Sequence, residues 1–355
     1  MLKLRQVMTL SWAMVLALFL LPVWLMEPGS SFGADAPAPT LPIDRVIGTP
    51  SSRDRGWAVR LLQPDGTVEQ TDMEAYLRQV VAAEMPASFE EEALKAQACA
   101  ARTYTVRLQN RGGKHENADV CTDSKCCQAC VSPADAELKW GVQAGEYSAK
   151  IARAVADTDG LGVLYGGEPI EAVFFSSAPG KTTDAVAVWG NSVDYLKSVD
   201  SPEGDEVPNY RTEVVLSAEE VKTRILAAYP GADLSGNPGN WFSQIYTGES
   251  GAVASLLVGG VTLTGNQLRG ALGLRSPAFT LSFDGVDFTF AVTGYGHGVG
   301  MSQYGANKMA AEGADFRAIL EWYYTGAQVG ALWRIALSGS PSAIHLSQRE
   351  RQVLV

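Results

Sequence analysis

The clearest pattern in the chain is a short amphipathic helix with a carboxylate at its end. Apolar residues recur at helical spacing at Met73, Tyr76, Leu77, Val80 and Val81. Asp72 has the residue type of an N-cap, and Pro86 cannot continue a helix and disfavours helical geometry at the residue before it. The pattern therefore predicts a helix that begins after Asp72 and ends at or near Glu84.

A second helix is predicted directly after this corner, from near Ser88 to about Gln109. Ser88 and the glutamate three residues later have the spacing of a capping box. Lys95 and Arg102 lie two turns apart, on one face of this helix. We expect both cations to face the same cleft as the Glu84 carboxylate, with a solvated helix face as the alternative.

The remaining segments alternate between helical and strand-like patterns, which predicts the α+β fold class, with a helical layer and short antiparallel strands. Hairpins are predicted at about 57–71, 162–177 and 278–292, and further helices at about 144–156, 218–228, 302–311 and 315–324. Residues 202–277 are interpreted as an inserted lobe within one domain of 51–330. Residues 331–355 are interpreted as a tail with little pattern.

The N-terminal segment decides the predicted compartment. An apolar run from about Val7 to Met26 follows two cationic residues and, at roughly 20 residues, is long enough to span a bilayer. Ala34-Asp35-Ala36 has the small-x-small form of a signal-peptide cleavage site. We interpret residues 1–28 as an anchor in the cell membrane, with secretion after cleavage as the alternative, and residues 29–50 as a linker. Either way, we expect the domain to lie outside the cytoplasm.

Length and charge narrow the possible functions. The chain has 355 residues, of which 46% are apolar, so it can bury a sizeable core. Its formal net charge is −11. A strongly acidic chain is a poor partner for polyanions, so we expect no nucleic-acid binding.

Four of the five cysteines lie in one short loop, at Cys121, Cys126, Cys127 and Cys130. In an exported protein such cysteines usually form disulfides, here Cys121–Cys127 or Cys121–Cys130. Adjacent cysteines are awkward for two bridges in so short a loop, however, and four thiolate or imidazole groups can enclose a tetrahedral metal ion. The residues alone leave both interpretations open.

Four motifs carry a family resemblance. In chain order they are YLRQVVAAEMPASFEEEALKAQACAARTY, ADVCTDSKCCQ, EAVFFSSAPGKTTDAVAVWG with DYL, and GHGVGMSQYGANKMA. Together they resemble the family of stage II sporulation protein D, which the amidase enhancer shares. The resemblance covers most of the chain from about Trp57 to Gly326.

The resemblance implies a membrane-anchored peptidoglycan lytic transglycosylase that acts in septal wall removal and engulfment during sporulation. It implies a preference for glycan strands stripped of stem peptides. It also implies two partners, a sporulation amidase-endopeptidase and a small membrane protein of the engulfment complex. The rival expectation, from the amidase enhancer branch, is a wall-binding module that activates an amidase. A third is a wall remodeller of vegetative cells with the same chemistry.

By motif and spacing, the resemblance makes Glu84 the catalytic acid and base. It implies functional, substrate-binding roles for Lys95, Arg102, Tyr165, Thr182 and Tyr195. It also implies a structural zinc ion held by His115, Cys121, Cys126 and Cys127, with Cys130 as an alternative fourth ligand in place of His115. The sequence departs from the family pattern at Ser176, where a histidine is usual, and at Pro179-Gly180, which replaces a glycine pair.

The chemistry that the resemblance implies suits the predicted position of Glu84. The C-terminal end of a helix is the negative end of its dipole, which raises the pKa of a nearby carboxyl group. Apolar neighbours raise this pKa as well, and a glutamate that stays protonated near neutral pH is a competent general acid. The alternative is a solvated carboxylate at an ordinary helix end.

The glycine-rich loop from Gly294 to Gly305 carries His297, Ser302 and Gln303. Its glycines allow tight turns and close approach of a ligand. It lacks the lysine of a phosphate-binding loop and the motif of a nucleophile elbow. We expect the three side chains to line the glycan groove beside Glu84, with a structural turn that hydrogen-bonds His297 as the alternative.

Overall fold

The computed structural model of the protein describes residues 53–332. The predicted anchor, linker and most of the predicted tail lie outside these residues. Within residues 53–332, the structure contains no helix that is both long enough and apolar enough to cross a bilayer.

The hairpin and helix that lead to Glu84 form as predicted. Strands β1 (Ala58–Leu62) and β2 (Val68–Asp72) pair antiparallel, and β3 (Val120–Cys121) joins β1 in parallel. Helix α1 (Met73–Glu84) begins with Asp72 as its N-cap, whose side chain accepts a hydrogen bond from the amide of Ala75. Met85 is extended, so the helix ends at Glu84.

Helix α2 (Glu91–Asn110) is the central element of the larger core. It packs against α1, against α4 (Ala144–Asp157) and against β4 (Leu161–Tyr165). The predicted capping box at Ser88 is wrong, because Glu90 occupies the N-cap position and makes no side-chain cap bond. The buried face of α2 consists largely of small residues, at Ala93, Ala96, Ala98, Cys99, Ala100 and Ala101. Small side chains let the neighbouring elements approach the helix axis closely.

The remaining elements of this core surround α2. They are α3 (Pro133–Trp140), β5 (Glu168–Pro169), β6 (Phe174–Phe175), α5 (Ala185–Trp189), β13 (Met301–Ser302), α8 (Gln303–Ala311), α9 (Phe316–Tyr323) and β14 (Gln328–Ala331). The strand β14 was not predicted, and it pairs with β4. The predicted hairpin at 162–177 holds only as far as Pro169, because β6 pairs in parallel with β13 rather than continuing the hairpin.

A second apolar core lies in the lobe. It combines β7 (Arg211–Ser217), α6 (Ala218–Ala228), β8 (Phe242–Thr247), β9 (Val253–Val258), β10 (Val261–Leu263), α7 (Gly265–Leu272), β11 (Phe279–Phe283) and β12 (Asp287–Thr293). These strands form two antiparallel sheets, ordered β10-β9-β8 and β11-β12-β7. The lobe therefore runs past the predicted end at residue 277, because β12 pairs with β7. The glycine-rich loop follows β12 and leads from the lobe back to the larger core.

Candidate active site and metal centre

Glu84 lies partly buried at the corner between α1 and α2, where one backbone amide holds its carboxylate. Its Oε1 accepts a hydrogen bond of 2.6 Å from the amide nitrogen of Ala129, which lies in the cysteine-rich loop. Apolar residues directly behind the corner, including Val80, Val81 and Met85, are buried. The carboxylate therefore has an apolar wall on one side and a fixed neutral donor on another.

The second carboxylate oxygen of Glu84 faces the start of helix α8. Gln303 Nε2 donates to Glu84 Oε2 over 3.4 Å and to Gln97 Oε1 over 3.3 Å. Gln97 is fully buried on α2, and its Nε2 has no hydrogen-bond partner within residues 53–332. Gln303 was expected beside Glu84, and this contact confirms that placement. Gln97 was not predicted as part of the site.

Burial raises the pKa of Glu84 above its ordinary value of 4.5. The hydrogen bonds from Ala129 and Gln303 act in the opposite direction, because they stabilise the charged form, but they are the smaller effect. Both hydrogen-bond donors are neutral. The site thus keeps its carboxyl group protonated to higher pH than a solvated glutamate.

The two cations predicted to face the cleft are held in ion pairs of the fold. Arg102 is fully buried, and its guanidinium forms a forked pair with Asp54, with one N–O distance of 2.7 Å. Lys95 lies among Glu91, Glu92 and Asp157, at 3.7, 2.9 and 3.0 Å. The placement of Arg102 differs from the expected one, because a fully buried guanidinium has no surface to offer a glycan.

The side chains of Tyr165 and Tyr195 lie in contact, whereas the Thr182 side chain is buried and hydrogen-bonded to the backbone. The two tyrosine rings are 5.4 Å apart, and Tyr165 is 37% exposed. Tyr195 accepts a hydrogen bond from the amide of Glu171. Thr182 is buried, and its hydroxyl accepts from the amide of Val199 at 2.9 Å. The tyrosine pair therefore offers an accessible aromatic surface, whereas the Thr182 hydroxyl is used inside the fold.

Both ring nitrogens of His297 are engaged by the backbone. Nε2 lies 3.1 Å from the carbonyl oxygen of Phe174, and Nδ1 accepts from the amide of Val299 at 3.1 Å. Together these two bonds fix the neutral tautomer that carries its proton on Nε2. Burial and the nearby Arg269 guanidinium lower the pKa of His297 to about 4. The structure thus places His297 in the hydrogen-bonded turn that was the alternative expectation.

Ser302 is the N-cap of α8, and a buried carboxylate that sequence reasoning missed holds it. The Ser302 hydroxyl donates to Glu203, which also accepts from the amide of Ala178 and the hydroxyl of Ser201. Gly305 lies against this network, and a Cβ there would come within 2.0 Å of the Tyr323 hydroxyl. Glu203 therefore fixes the start of α8. It thereby also positions Gln303, the next residue, which contacts Glu84.

The predicted metal ligands converge on one point. The ligand atoms of His115, Cys121, Cys126 and Cys127 all lie within 4.8 Å of one another. His115 Nε2 is 3.7 Å from Cys126 Sγ and 3.8 Å from Cys127 Sγ, and these two sulfurs are 3.9 Å apart. A tetrahedral zinc site with bonds of about 2.3 Å has sulfur–sulfur edges of about 3.8 Å. The donor set and its spacing therefore fit a zinc ion.

The same geometry argues against the disulfide alternatives. The cysteines of residues 53–332 are all free thiols, and a disulfide requires sulfurs about 2.05 Å apart. Cys130 lies outside the cluster, with its thiol against Gln79 Oε1 at 3.5 Å. The backbone between Cys127 and Cys130 supplies the amide of Ala129 that holds Glu84. The cluster and the carboxylate are thus joined through two residues of chain.

Comparison with known proteins places the chain in a family. Residues 64–165 match the family described as Stage II sporulation protein. Stage II sporulation protein D of Bacillus subtilis (strain 168) is 39% identical over 267 residues, which cover 74% of this chain and 76% of that protein. The protein of the same name from Bacillus amyloliquefaciens is 38% identical over 266 residues, covering 74% and 75%. The amidase enhancer of Bacillus subtilis (strain 168) is 28% identical over 304 residues, covering 70% of this chain and 39% of that protein. The chain therefore belongs to the stage II sporulation protein D family.

Proposed function

We propose that the protein is a peptidoglycan lytic transglycosylase in which Glu84 is the single catalytic acid and base. The observation that carries this proposal is the environment of Glu84. Its partly buried carboxyl group lies at a helix end between two neutral donors, and burial raises its pKa. A carboxyl group of this kind can donate a proton near neutral pH and take one back.

The proposed reaction has two steps on one carboxyl group. Protonated Glu84 gives its proton to the glycosidic oxygen as the bond from that oxygen to C1 of the muramoyl sugar breaks. Ionised Glu84 then takes the proton of the muramoyl C6 hydroxyl, whose oxygen attacks C1 of the same ring. The products are a shortened strand with a 1,6-anhydromuramoyl end and a strand with a free hydroxyl, and no water is consumed. An internal nucleophile has a high effective concentration, so a second carboxylate is not required.

The two oxygens of Glu84 have different tasks in this reaction. Oε1 is tied to the amide of Ala129 at 2.6 Å, which fixes the plane of the carboxyl group. Among residues 53–332, the hydrogen-bond partner of Oε2 is Gln303 at 3.4 Å, and we assign the proton to this oxygen. The Gln303 amide also donates to Gln97 Oε1 at 3.3 Å, which helps to position it. The site is therefore arranged to orient the acid without trapping it as an anion.

The cluster of His115, Cys121, Cys126 and Cys127 is assigned to a structural zinc ion. Four protein ligands leave no open position, so the metal would supply folding stability rather than a bound water. The ligand loop would then set the position of the Ala129 amide. No step of the reaction passes through the metal.

Family membership supports a proposal for the wider role. We place the reaction outside the cytoplasm, in sporulation, on strands stripped of stem peptides. A sporulation amidase-endopeptidase would supply such strands, and a small membrane protein of the engulfment complex is the other proposed partner. The protein would be held at the membrane by the segment before residue 29.

A second candidate function is a wall-binding module that activates an amidase. The 28% identity to an amidase enhancer favours it. The arrangement at Glu84 favours the enzyme, because a binding module has no need of a half-buried carboxyl group with a raised pKa. The two functions differ in their products, so one digestion separates them.

The test is a digestion of purified glycan strands, with and without stem peptides, by the full-length protein. Glu84→Gln is the test variant, and Glu90→Gln, an exposed neighbour, is its matched control. Mass spectrometry should find 1,6-anhydromuramoyl ends with the unsubstituted protein and the control. Glu84→Gln should lower the rate by at least about 100-fold. Reducing ends would mean a hydrolase, and strand binding without cleavage would favour the amidase-activating module.

A further inference from the structure

Two arginines lie together where the lobe meets the glycine-rich loop. Arg269 is on α7, and its Nε donates to the carbonyl oxygen of Arg275 at 3.0 Å. The same carbonyl accepts from the amide of Gly296 at 2.9 Å. Both arginines are partly buried. The carbonyl of Arg275 thus joins the lobe to the loop, and the Arg269 side chain is held against it.

Neither guanidinium is neutralised by the fold. Within residues 53–332, neither Arg269 nor Arg275 has a carboxylate oxygen within 4.0 Å. Nε of Arg275 is buried and lacks a hydrogen-bond partner in the same part of the chain. Arg102, by contrast, is paired with Asp54 where it is buried. Partly desolvated cations without a counter-charge destabilise the folded state. The chain has a net charge of −11, so carboxylates are abundant, yet none is placed beside these two arginines within residues 53–332.

The exposed ring of Tyr295 borders Arg275. The Arg275 guanidinium lies 4.0 Å from the ring centroid of Tyr295, and Tyr295 is 43% exposed. His297 follows in the same loop, and its ring centroid lies 5.6 Å from that of the buried Phe175 and 6.3 Å from that of Trp189. Exposed aromatic faces offer apolar surface to the C–H face of a sugar, and they keep their polar edge in water. The junction therefore combines positive charge with a surface on which a sugar ring can lie.

The glycine-rich loop connects this junction to Glu84. Near its start, at Tyr295 and Gly296, the loop lies beside Arg275, and near its end Gln303 contacts Glu84. The eight residue-to-residue steps from Tyr295 to Gln303 can span at most about 28 Å. A glycan strand that lies along the loop can therefore contact both the arginine junction and Glu84.

We propose that Arg269, Arg275 and Tyr295 form a subsite that binds a carboxylate carried on the glycan strand, away from the bond that is cleaved. This inference rests on the proposed function, because it takes the strand as the ligand. Guanidinium groups bind carboxylates through paired hydrogen bonds, and the buried Nε of Arg275 is a donor without an acceptor. Peptidoglycan offers carboxylates from two sources, the lactyl group of muramoyl residues without stem peptides and the stem peptides themselves.

The test is a binding measurement in the Glu84→Gln background, so that strands are not consumed. The full-length protein is titrated with three ligands: strands stripped of stem peptides, the same strands with methyl-esterified carboxylates, and strands with intact stem peptides. Arg275→Gln and Arg275→Lys are the test variants. Arg211→Gln is the matched control, because Arg211 is an exposed arginine of the same lobe, paired with Asp205. Thermal melts check that each variant is folded.

Esterification should weaken binding about tenfold in the background protein and in the control, the loss expected for a charged hydrogen bond. Arg275→Gln should bind both strands weakly and abolish the difference between them, and Arg275→Lys should retain part of it. A preference for stripped strands identifies the lactyl carboxylate as the ligand, and a preference for intact strands identifies the stem peptide.

Two outcomes overturn the inference, and they are distinguishable. If the background protein binds native and esterified strands equally, the subsite is wrong while the proposed function stands. If it binds none of the three ligands, the proposed function fails together with the subsite. The comparison of native with esterified strands needs no substitution at Arg275, so it can overturn the inference even if Arg275→Gln does not fold, and Arg275→Lys then assigns the effect.

Discussion

The amide nitrogen of Ala129 donates a hydrogen bond of 2.6 Å to Oε1 of Glu84, across 45 residues of sequence. This bond joins the cysteine-rich loop to the carboxyl group proposed as the acid. A backbone donor is well suited to the task, because it cannot rotate away and carries no charge. It limits the pKa increase that burial produces, and it fixes the direction of the carboxyl group.

Removing this donor should move the pH dependence of cleavage. Ala129→Pro lacks the amide hydrogen, so the ionised form of Glu84 loses a stabilising bond and its pKa rises further. Activity depends on protonated Glu84 as the acid and falls on the alkaline side as this group ionises. We expect the alkaline limb of the kcat/KM profile to shift upward by about one pH unit, the equivalent of one charged hydrogen bond.

Ala129→Gly is the control for this measurement, because it keeps the amide hydrogen and removes only a methyl group. Its alkaline limb should coincide with that of the unsubstituted protein. An unchanged limb in Ala129→Pro, with the variant folded and active, would show that the bond does not tune the acid.

The raised pKa of Glu84 should also affect stability. The pKa of the folded protein lies above the ordinary 4.5, so the contribution of this group is present at low pH and is lost as pH rises through the folded value. Glu84→Gln has no such loss and can still accept the Ala129 hydrogen bond. The free energy of unfolding of Glu84→Gln, relative to the unsubstituted protein, should therefore be higher at pH 7 than at pH 4. Urea denaturation at both values measures this, with Glu90→Gln as the control for net charge.

Metal content should follow the four converging ligand atoms. Cys127→Ala removes one ligand of the cluster and should reduce bound zinc from about one ion per chain to nearly none. Cys130→Ala is the matched control, because its thiol contacts Gln79 instead, and it should retain the ion. Elemental analysis of the purified proteins gives the metal content. Zinc loss from the control variant, or none from Cys127→Ala, would contradict the ligand set.

Chelation should act on the fold as well as on the metal. Because a structural site binds only the folded state, zinc removal should lower the melting temperature of the unsubstituted protein. The Cys127→Ala variant, already without metal, should melt at the same temperature with or without chelator. A chelator that lowers both melting temperatures equally would indicate an effect unrelated to this cluster.

The sequence predicted the helices and strands around Glu84 because the residues that start and stop them lie close together in the chain. The N-cap at Asp72, the apolar face of α1 and the stop at Pro86 all act within a few residues of one another. The cysteine loop was identified for the same reason. The α+β class, the two hairpins at 57–71 and 278–292 and the first helix of the lobe, α6, followed from the same kind of signal, whereas α7 was not predicted.

Long-range pairings could not be predicted in this way. From the sequence, Arg102 is a cation on the same helix face as Lys95, as expected for a residue that lines a cleft. Its pairing with Asp54, 48 residues earlier, is visible only in the structure, where it accounts for the burial of Arg102. Glu203 carries no motif, and its role appears only when Ser201, Ser302 and the amide of Ala178 meet around it. The end of the lobe was misplaced because β12 pairs with β7 across the whole insertion.

Breaking the buried ion pair of Arg102 and Asp54 should lower the free energy of unfolding strongly. Arg102→Met leaves the Asp54 carboxylate buried without its counter-charge, so we expect a loss of about 3–5 kcal/mol in the free energy of unfolding. The double variant with Asp54→Asn should recover much of that loss. Arg153→Met, which breaks an exposed pair with Glu91, should cost under about 1 kcal/mol. If Arg102→Met is as stable as the unsubstituted protein but inactive, Arg102 acts on the substrate after all.

His297 should make the protein sensitive to acid. Its folded pKa of about 4 lies below the ordinary 6.5, so the unfolded chain takes up a proton first as pH falls. The stability contributed by the neutral imidazole is therefore complete above pH 6.5 and is lost between 6.5 and 4, to a total of up to about 3 kcal/mol. His297→Gln can still donate to the Phe174 carbonyl but does not titrate, so its unfolding free energy should fall less over this range. Equal slopes for His297→Gln and the unsubstituted protein would show that His297 is not the group responsible.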